Sequence, residues 1–144
     1  MNKHINWLER NPYTAWALVL LYAAVIFALS SMSNPPQPVR PSDGFGREVL
    51  TSAEHIIEYA ILGILLLAGF RSLEKTRDHA TTLAFLAAVL YGATDELHQY
   101  FIPHRFCDLK DLLADALGAL LGVVIAKGWG EKSSIYQRHT IIDN

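Results

Sequence analysis

The chain has 144 residues, 51% of them hydrophobic and 18% charged, which excludes a disordered tail protein and leaves room for one domain. A formal net charge of -2 with no basic stripe argues against nucleic acid as a partner. The single cysteine, Cys107, makes neither an internal disulfide nor a zinc cage.

Residues 1–12 are polar and mixed and read as a short N-terminal segment outside the bilayer. Tyr13 to Ser31 then carries no charged residue, close to the roughly 20 residues that a helix needs to cross ~30 Å of hydrocarbon. The run exceeds the ~7 to 15 apolar residues of a signal peptide, so it predicts a transmembrane helix rather than a cleaved leader. The loop after it, residues 32–51, opens with Asn34-Pro35-Pro36-Gln37-Pro38 and continues through Pro41-Ser42-Asp43-Gly44. Prolines at this density favour an extended or turning path, suited to covering a site.

Three further apolar stretches follow: Tyr59 to Phe70, Ala80 to Thr94 and Leu112 to Ala126. None crosses a bilayer alone. Each reaches spanning length when a polar, helix-compatible stretch is added on one side: Ser52 to Glu58 before the first, Asp95 to Tyr100 after the second, Asp108 to Asp111 before the third. A soluble bundle would show a charged face through the middle turns of its helices, and these middles have none. The prediction is an all-α polytopic membrane protein, a four-transmembrane-helix bundle over residues 13–127, followed by a polar tail at 128–144 in which Trp129 is an interfacial anchor.

Lys3, Arg10, Arg71, Lys75, Arg77, Lys127, Lys132 and Arg138 fall on one side of that topology, and Arg40, Arg47, Arg105 and Lys110 on the other. The positive-inside rule then puts both termini in the cytoplasm, in a multi-pass protein of the cytoplasmic membrane. All three polar extensions converge on the outer side. On the second helix, Glu58 shares a helical face with either Glu54 or His55. On the third, Asp95, His98 and Gln99 share a face, with Glu96 about 100° round, beside Gln99 and Tyr100. On the fourth, Asp108, Asp111 and Asp115 form a stripe that continues through Gly118 and Gly122, a spacing that admits a neighbouring helix of the same chain or of a second copy.

Glu54, Asp108 and Asp111 are equally explained by the preference of any helix N-terminus for an acid. Glu58, Asp95, Glu96, His98 and Asp115 lie deeper, where an ionisable group costs on the order of 3 kcal/mol and faces a cavity or a partner. Their bland reading is hydrogen-bonded glue between helices. Arg105, in the short outer turn after Pro103, either clamps an anionic substrate group or neutralises nearby acids. His104 and Cys107 have no recognisable partner.

His55-Ile56-Ile57-Glu58-Tyr59, then Asp95-Glu96-Leu97-His98-Gln99, then Pro103-His104-Arg105, Asp111, Asp115 and Gly118 with Gly122, together resemble the VanZ-like membrane protein family over roughly residues 30–124. The resemblance implies a small bacterial integral membrane protein, in a family whose founding member is linked to glycopeptide (teicoplanin) resistance. The chain departs from the family where Thr51-Ser52 replaces an Asp-Lys pair and where Asp115 stands in place of a frequent Asn. Losing that lysine removes a cation that would balance the acids, which favours either a metal ion among them or a raised carboxyl pKa.

Two classes of function are open. In the first, the outer face carries an enzyme site for a lipid-linked or cell-wall-precursor group. His55 or His98 is then the acid/base, Glu58, Asp95 or Glu96 works beside it, Arg105 clamps, and Gln99, Asp111 and Asp115 bind substrate. A divalent metal held by Asp95, Asp111 and Asp115 would assist. In the second, the same cavity belongs to a non-catalytic membrane factor that binds an envelope component or a partner. Asp95-x-x-His98 also has the spacing of a dimetal carboxylate bundle, but the second helix reverses the order. A proton-coupled transporter would show a broken helix at the midplane, and none is evident.

Overall fold

The computed structural model describes residues 3–33, 44–103 and 105–142, so most of the proline-rich loop and His104 lie outside the described residues. All regular structure among the described residues is helical: α1 Lys3–Arg10, α2 Pro12–Ser30, α3 Gly44–Ser72, α4 Ala80–Gln99 and α5 Leu109–Ile142, with a 3₁₀ segment at Glu74–His79 between α3 and α4. Pro12 opens α2, where its fixed φ suits the first helical position and its missing N–H costs nothing. Helices α2 and α3 are each long and apolar enough to cross a membrane.

Helix α3 starts at Gly44, well before the Ser52 expected from the apolar pattern. Glu54 therefore lies well inside the helix rather than in its first turn, and the helix-terminus explanation no longer applies to it. The N-terminal segment contains a helix of its own, and α5 runs on through the boundary at residue 127 to Ile142. At the other end of α3, Ser72 Oγ donates to Gly69 O, Thr76 Oγ1 to Phe70 O and Arg77 Nε to Arg71 O. These bonds satisfy the carbonyls that a helix end leaves open.

The helices run up and down. Tyr91 Oη donates to Ala23 O (2.6 Å), and His98 Nε2 lies 3.0 Å from Ser31 Oγ, so the pairing of α2 with α4 advances in the same direction along both. Helices α3 and α5 also run parallel. A Cβ added to Gly118 would collide with Ile56 O, one added to Gly122 with Ala60 O, and one added to Gly63 would stand 2.8 Å from Ala119 O. This seam lets two backbones touch, and it turns Gly118 and Gly122 toward α3. Of the two neighbours this spacing admits, the helix found against it here is α3 of the same chain.

The core at mid-height is built from Tyr59, Leu62, Leu67, Ala84, Ala88 and Val123. Large apolar side chains also cover the outside: Leu20, Ile57, Leu90 and Leu113 are all more than half exposed. One end of the bundle is basic, with Arg71 Nη1 donating to Glu9 Oε1 (3.1 Å) beside Arg10 and Arg77. The opposite end collects the buried polar residues.

Candidate functional site

The polar end is held together by the starts of α3 and α5 and the end of α4. Asp108 Oδ1 accepts the Lys110 N–H (2.9 Å), an N-cap for α5, and Asp108's own N–H donates to Glu96 Oε2 (2.9 Å). Glu96 thus docks the start of α5 onto α4. An exposed ion pair between Lys110 and Glu48 ties α5 to the first turns of α3. Asp108 therefore does what a helix terminus asks of an acid.

At the centre is His55. Its Nδ1 lies 2.8 Å from Asp115 Oδ1, and its Nε2 lies 3.9 Å from Asp111 Oδ2, so two acids one turn apart on α5 flank one imidazole of α3. His55, Asp95, Glu96, Gln99 and Asp115 are all buried, Asp115 completely. Glu58, half-buried, lies within electrostatic range of His55, Asp115 and Asp95. The close approach has a local cause at Gly92 on α4: a Cβ there would stand 2.9 Å from Asp115 Oδ2 and 3.2 Å from the Tyr59 ring. Only a glycine leaves room for both.

Several of these groups lack protein hydrogen-bond partners among the described residues. They include Asp95 Oδ1, Glu96 Oε1, Asp115 Oδ2, Glu54 Oε1, Tyr59 Oη and Arg105 Nε. Buried polar atoms cost about 1–3 kcal/mol each when unsatisfied, so a cluster of them at one end of a bundle marks a place built for something other than packing. An open cleft of about 250 Å³ at the surface is lined by Gly44, Glu48, Ser52, Asp108, Lys110 and Asp111, and Asp111 Oδ2 lies 3.9 Å from His55 Nε2.

The structure brings His55, Glu58, Asp95, Glu96, Asp111 and Asp115 together, and not every predicted site residue joins them. His98 faces α2, where it stacks on Phe27 with ring centroids 4.5 Å apart and meets Ser31. Gln99 Nε2 donates to Asp95 Oδ2 (3.0 Å) rather than turning to Glu96. Arg105 is partly buried and within electrostatic range of Asp111. The acids Asp95, Asp111 and Asp115, considered above as a metal set, are not the grouping the fold makes tightest. That grouping is His55, Glu96 and Asp115, each offering one ligand atom within 4.8 Å of the others.

Tyr59 also belongs to the cluster, although nothing in the sequence pattern assigned it a role. It is fully buried beside Asp115, and its spacing of one helical turn from His55 is the signal that could have found it.

In comparison with known proteins, the model of the VanZ/LLP1 family matches residues 15–130, which include most of the first apolar stretch, the other three whole and every residue of the buried cluster. No curated protein and no solved structure gives a significant match. The chain therefore belongs to the VanZ/LLP1 family and is a membrane-associated bacterial protein.

Proposed function

We propose that the chain crosses the cytoplasmic membrane four times with both termini inside, and that its outer-end polar site acts on the head group of a lipid-linked or cell-wall-precursor substrate by acid–base chemistry. Changes to that precursor would alter susceptibility to glycopeptides such as teicoplanin. The observation that carries this reading is His55 flanked by Asp111 and Asp115, with Asp111 also lining an open cleft at the surface. A buried imidazole with one carboxylate bonded to Nδ1 and a second 3.9 Å from Nε2 is an arrangement for moving or holding charge on a reacting group, and it contributes little as packing. The four-span topology is supported by the up-and-down helix order, by the apolar exterior of α4 and α5, and by the basic residues gathered at the end opposite the cluster. Arg105, near the cleft, suits an anionic part of the substrate.

The test compares a host lacking its own family member when it carries the native chain, the His55→Ala variant or an empty vector. Teicoplanin susceptibility and the pool of lipid-linked precursors are measured beside membrane-fraction immunoblots. The native chain shifts both measurements and His55→Ala shifts neither while present in the membrane. A native chain that leaves both unchanged overturns the proposal.

A further inference from the structure

The buried cluster carries more negative groups than its one imidazole can balance. Glu96 and Asp115 come from different helices, are 2% and 0% exposed, and approach each other around His55. No lysine or arginine among the described residues forms an ion pair with either. Each carboxylate is also divided in its use. Glu96 Oε2 accepts the Asp108 N–H and Asp115 Oδ1 pairs with His55 Nδ1, while Glu96 Oε1 and Asp115 Oδ2 receive no hydrogen bond from any described residue. In each carboxylate one oxygen is held by the protein and the other is a buried acceptor left without a partner among the described residues, so two free acceptors from different helices belong to the grouping with His55.

We propose that His55, Glu96 and Asp115 bind one divalent first-row transition ion between α3, α4 and α5. The donor set of one imidazole nitrogen and two carboxylate oxygens suits Zn²⁺ or Mn²⁺, whereas Mg²⁺ and Ca²⁺ prefer oxygen alone. This deepens the function proposed for the same site and rests on it for its chemical purpose. The imidazole becomes a ligand, and proton transfer falls to Asp111, half-buried, 3.9 Å from His55 Nε2 and lining the cleft. Tyr59, whose hydroxyl has no partner among the described residues, packs with Asp115 against Gly92.

The experiment uses the full chain purified in detergent, stripped with a chelator and titrated with Zn²⁺ against a competing indicator. Cys107→Ser serves as the parent, so that the exposed thiol cannot supply the binding. The expected result is one equivalent of Zn²⁺, with affinity weakened by at least about 10-fold in both Glu96→Gln and His55→Ala, judged folded by gel filtration and circular dichroism. Should those variants fail to fold, X-ray absorption at the zinc edge of the parent protein decides: one imidazole with oxygen ligands supports the site, and any other ligand set overturns it. Absence of stoichiometric binding, or equal binding in both folded variants, also overturns it. Because the readout is metal bound rather than susceptibility or precursor pool, this proposal can fail while the proposed function stands, and the reverse.

Discussion

His55 on α3 and Asp115 on α5 are 60 positions apart in sequence and 2.8 Å apart in space, buried together where the two helices run side by side. Their partnership depends on the small-residue seam below it: Gly118 follows Asp115 by less than one turn and lets α5 press against the backbone at Ile56, next to His55. The glycine seam and the polar pair are therefore one construction. The seam sets the distance between the helices, and the pair uses it.

If so, Asp115→Ala and Asp115→Asn should separate structure from chemistry. The alanine leaves His55 Nδ1 unsatisfied in a buried place, a loss of about 1–3 kcal/mol. A lower melting temperature in detergent and less protein in the membrane fraction are expected. The asparagine keeps an oxygen that can accept the Nδ1–H but removes a charge. It should reach the membrane at native levels and lose the effect on the precursor pool; full activity in Asp115→Asn would remove Asp115 from the chemistry.

Lengthening the side chain at the seam should act on packing alone. A Cβ at Gly122 would overlap Ala60 O, and because that atom is backbone, a helix must move. Gly122→Ala is expected to cost about 1–3 kcal/mol, as overpacking does, and Gly122→Leu to prevent stable assembly. Gly44, by contrast, has open space around it, so Gly44→Ala should leave the melting temperature unchanged or slightly raised. Thermal unfolding of the three variants in one detergent makes the comparison.

His98 offers a different contrast. Its ring lies on Phe27 and its Nε2 against Ser31, both on the α2 side of α4. We expect His98→Ala to loosen α2, lowering stability by about 1 kcal/mol, while Zn²⁺ affinity stays within about twofold of the parent, since losing a ligand or a group that orients one costs about 10- to 100-fold. His98→Gln, which can still reach Ser31, should recover part of the stability. A collapse of metal affinity in folded His98→Ala would place this ring in the site.

Much of this was legible in the residues. Uncharged runs marked the helices, and alternation of direction predicted that the polar extensions would meet at one end. What the pattern could not supply was rotation about each helix axis. Asp95, His98 and Gln99 share a face in a helical projection, yet His98 ends against α2 while Asp95 and Gln99 are buried and bonded to each other. The reason is the twist with which α4 packs at Gly92, where contact with Asp115 and Tyr59 fixes which part of a broad polar face turns inward. The early start of α3 was hidden for a simpler reason: residues 44–51 are mixed and contain two glycines, and their helix is held by tertiary contacts such as Glu48 with Lys110 rather than by an apolar stripe.

Topology gives the last prediction, and the native cysteine supplies the probe. Cys107 is exposed at the polar end, just before α5, and it is the chain's only thiol. With the polar end outside, a membrane-impermeant maleimide added to intact cells should label the native protein. In a Cys107→Ser background, a cysteine placed at Lys75, exposed in the 3₁₀ segment at the basic end, should stay unlabelled until the cells are opened. The expectation follows from the excess of Lys and Arg at that end, which resists translocation. Labelling at position 75 but not at Cys107 in intact cells would invert the protein and place the cluster on the cytoplasmic side, out of reach of any outer-face precursor. Labelling of both would mean that the chain between them does not cross the membrane as proposed. Only the first pattern leaves His55, Asp111 and Asp115 where an externally delivered head group can enter the cleft.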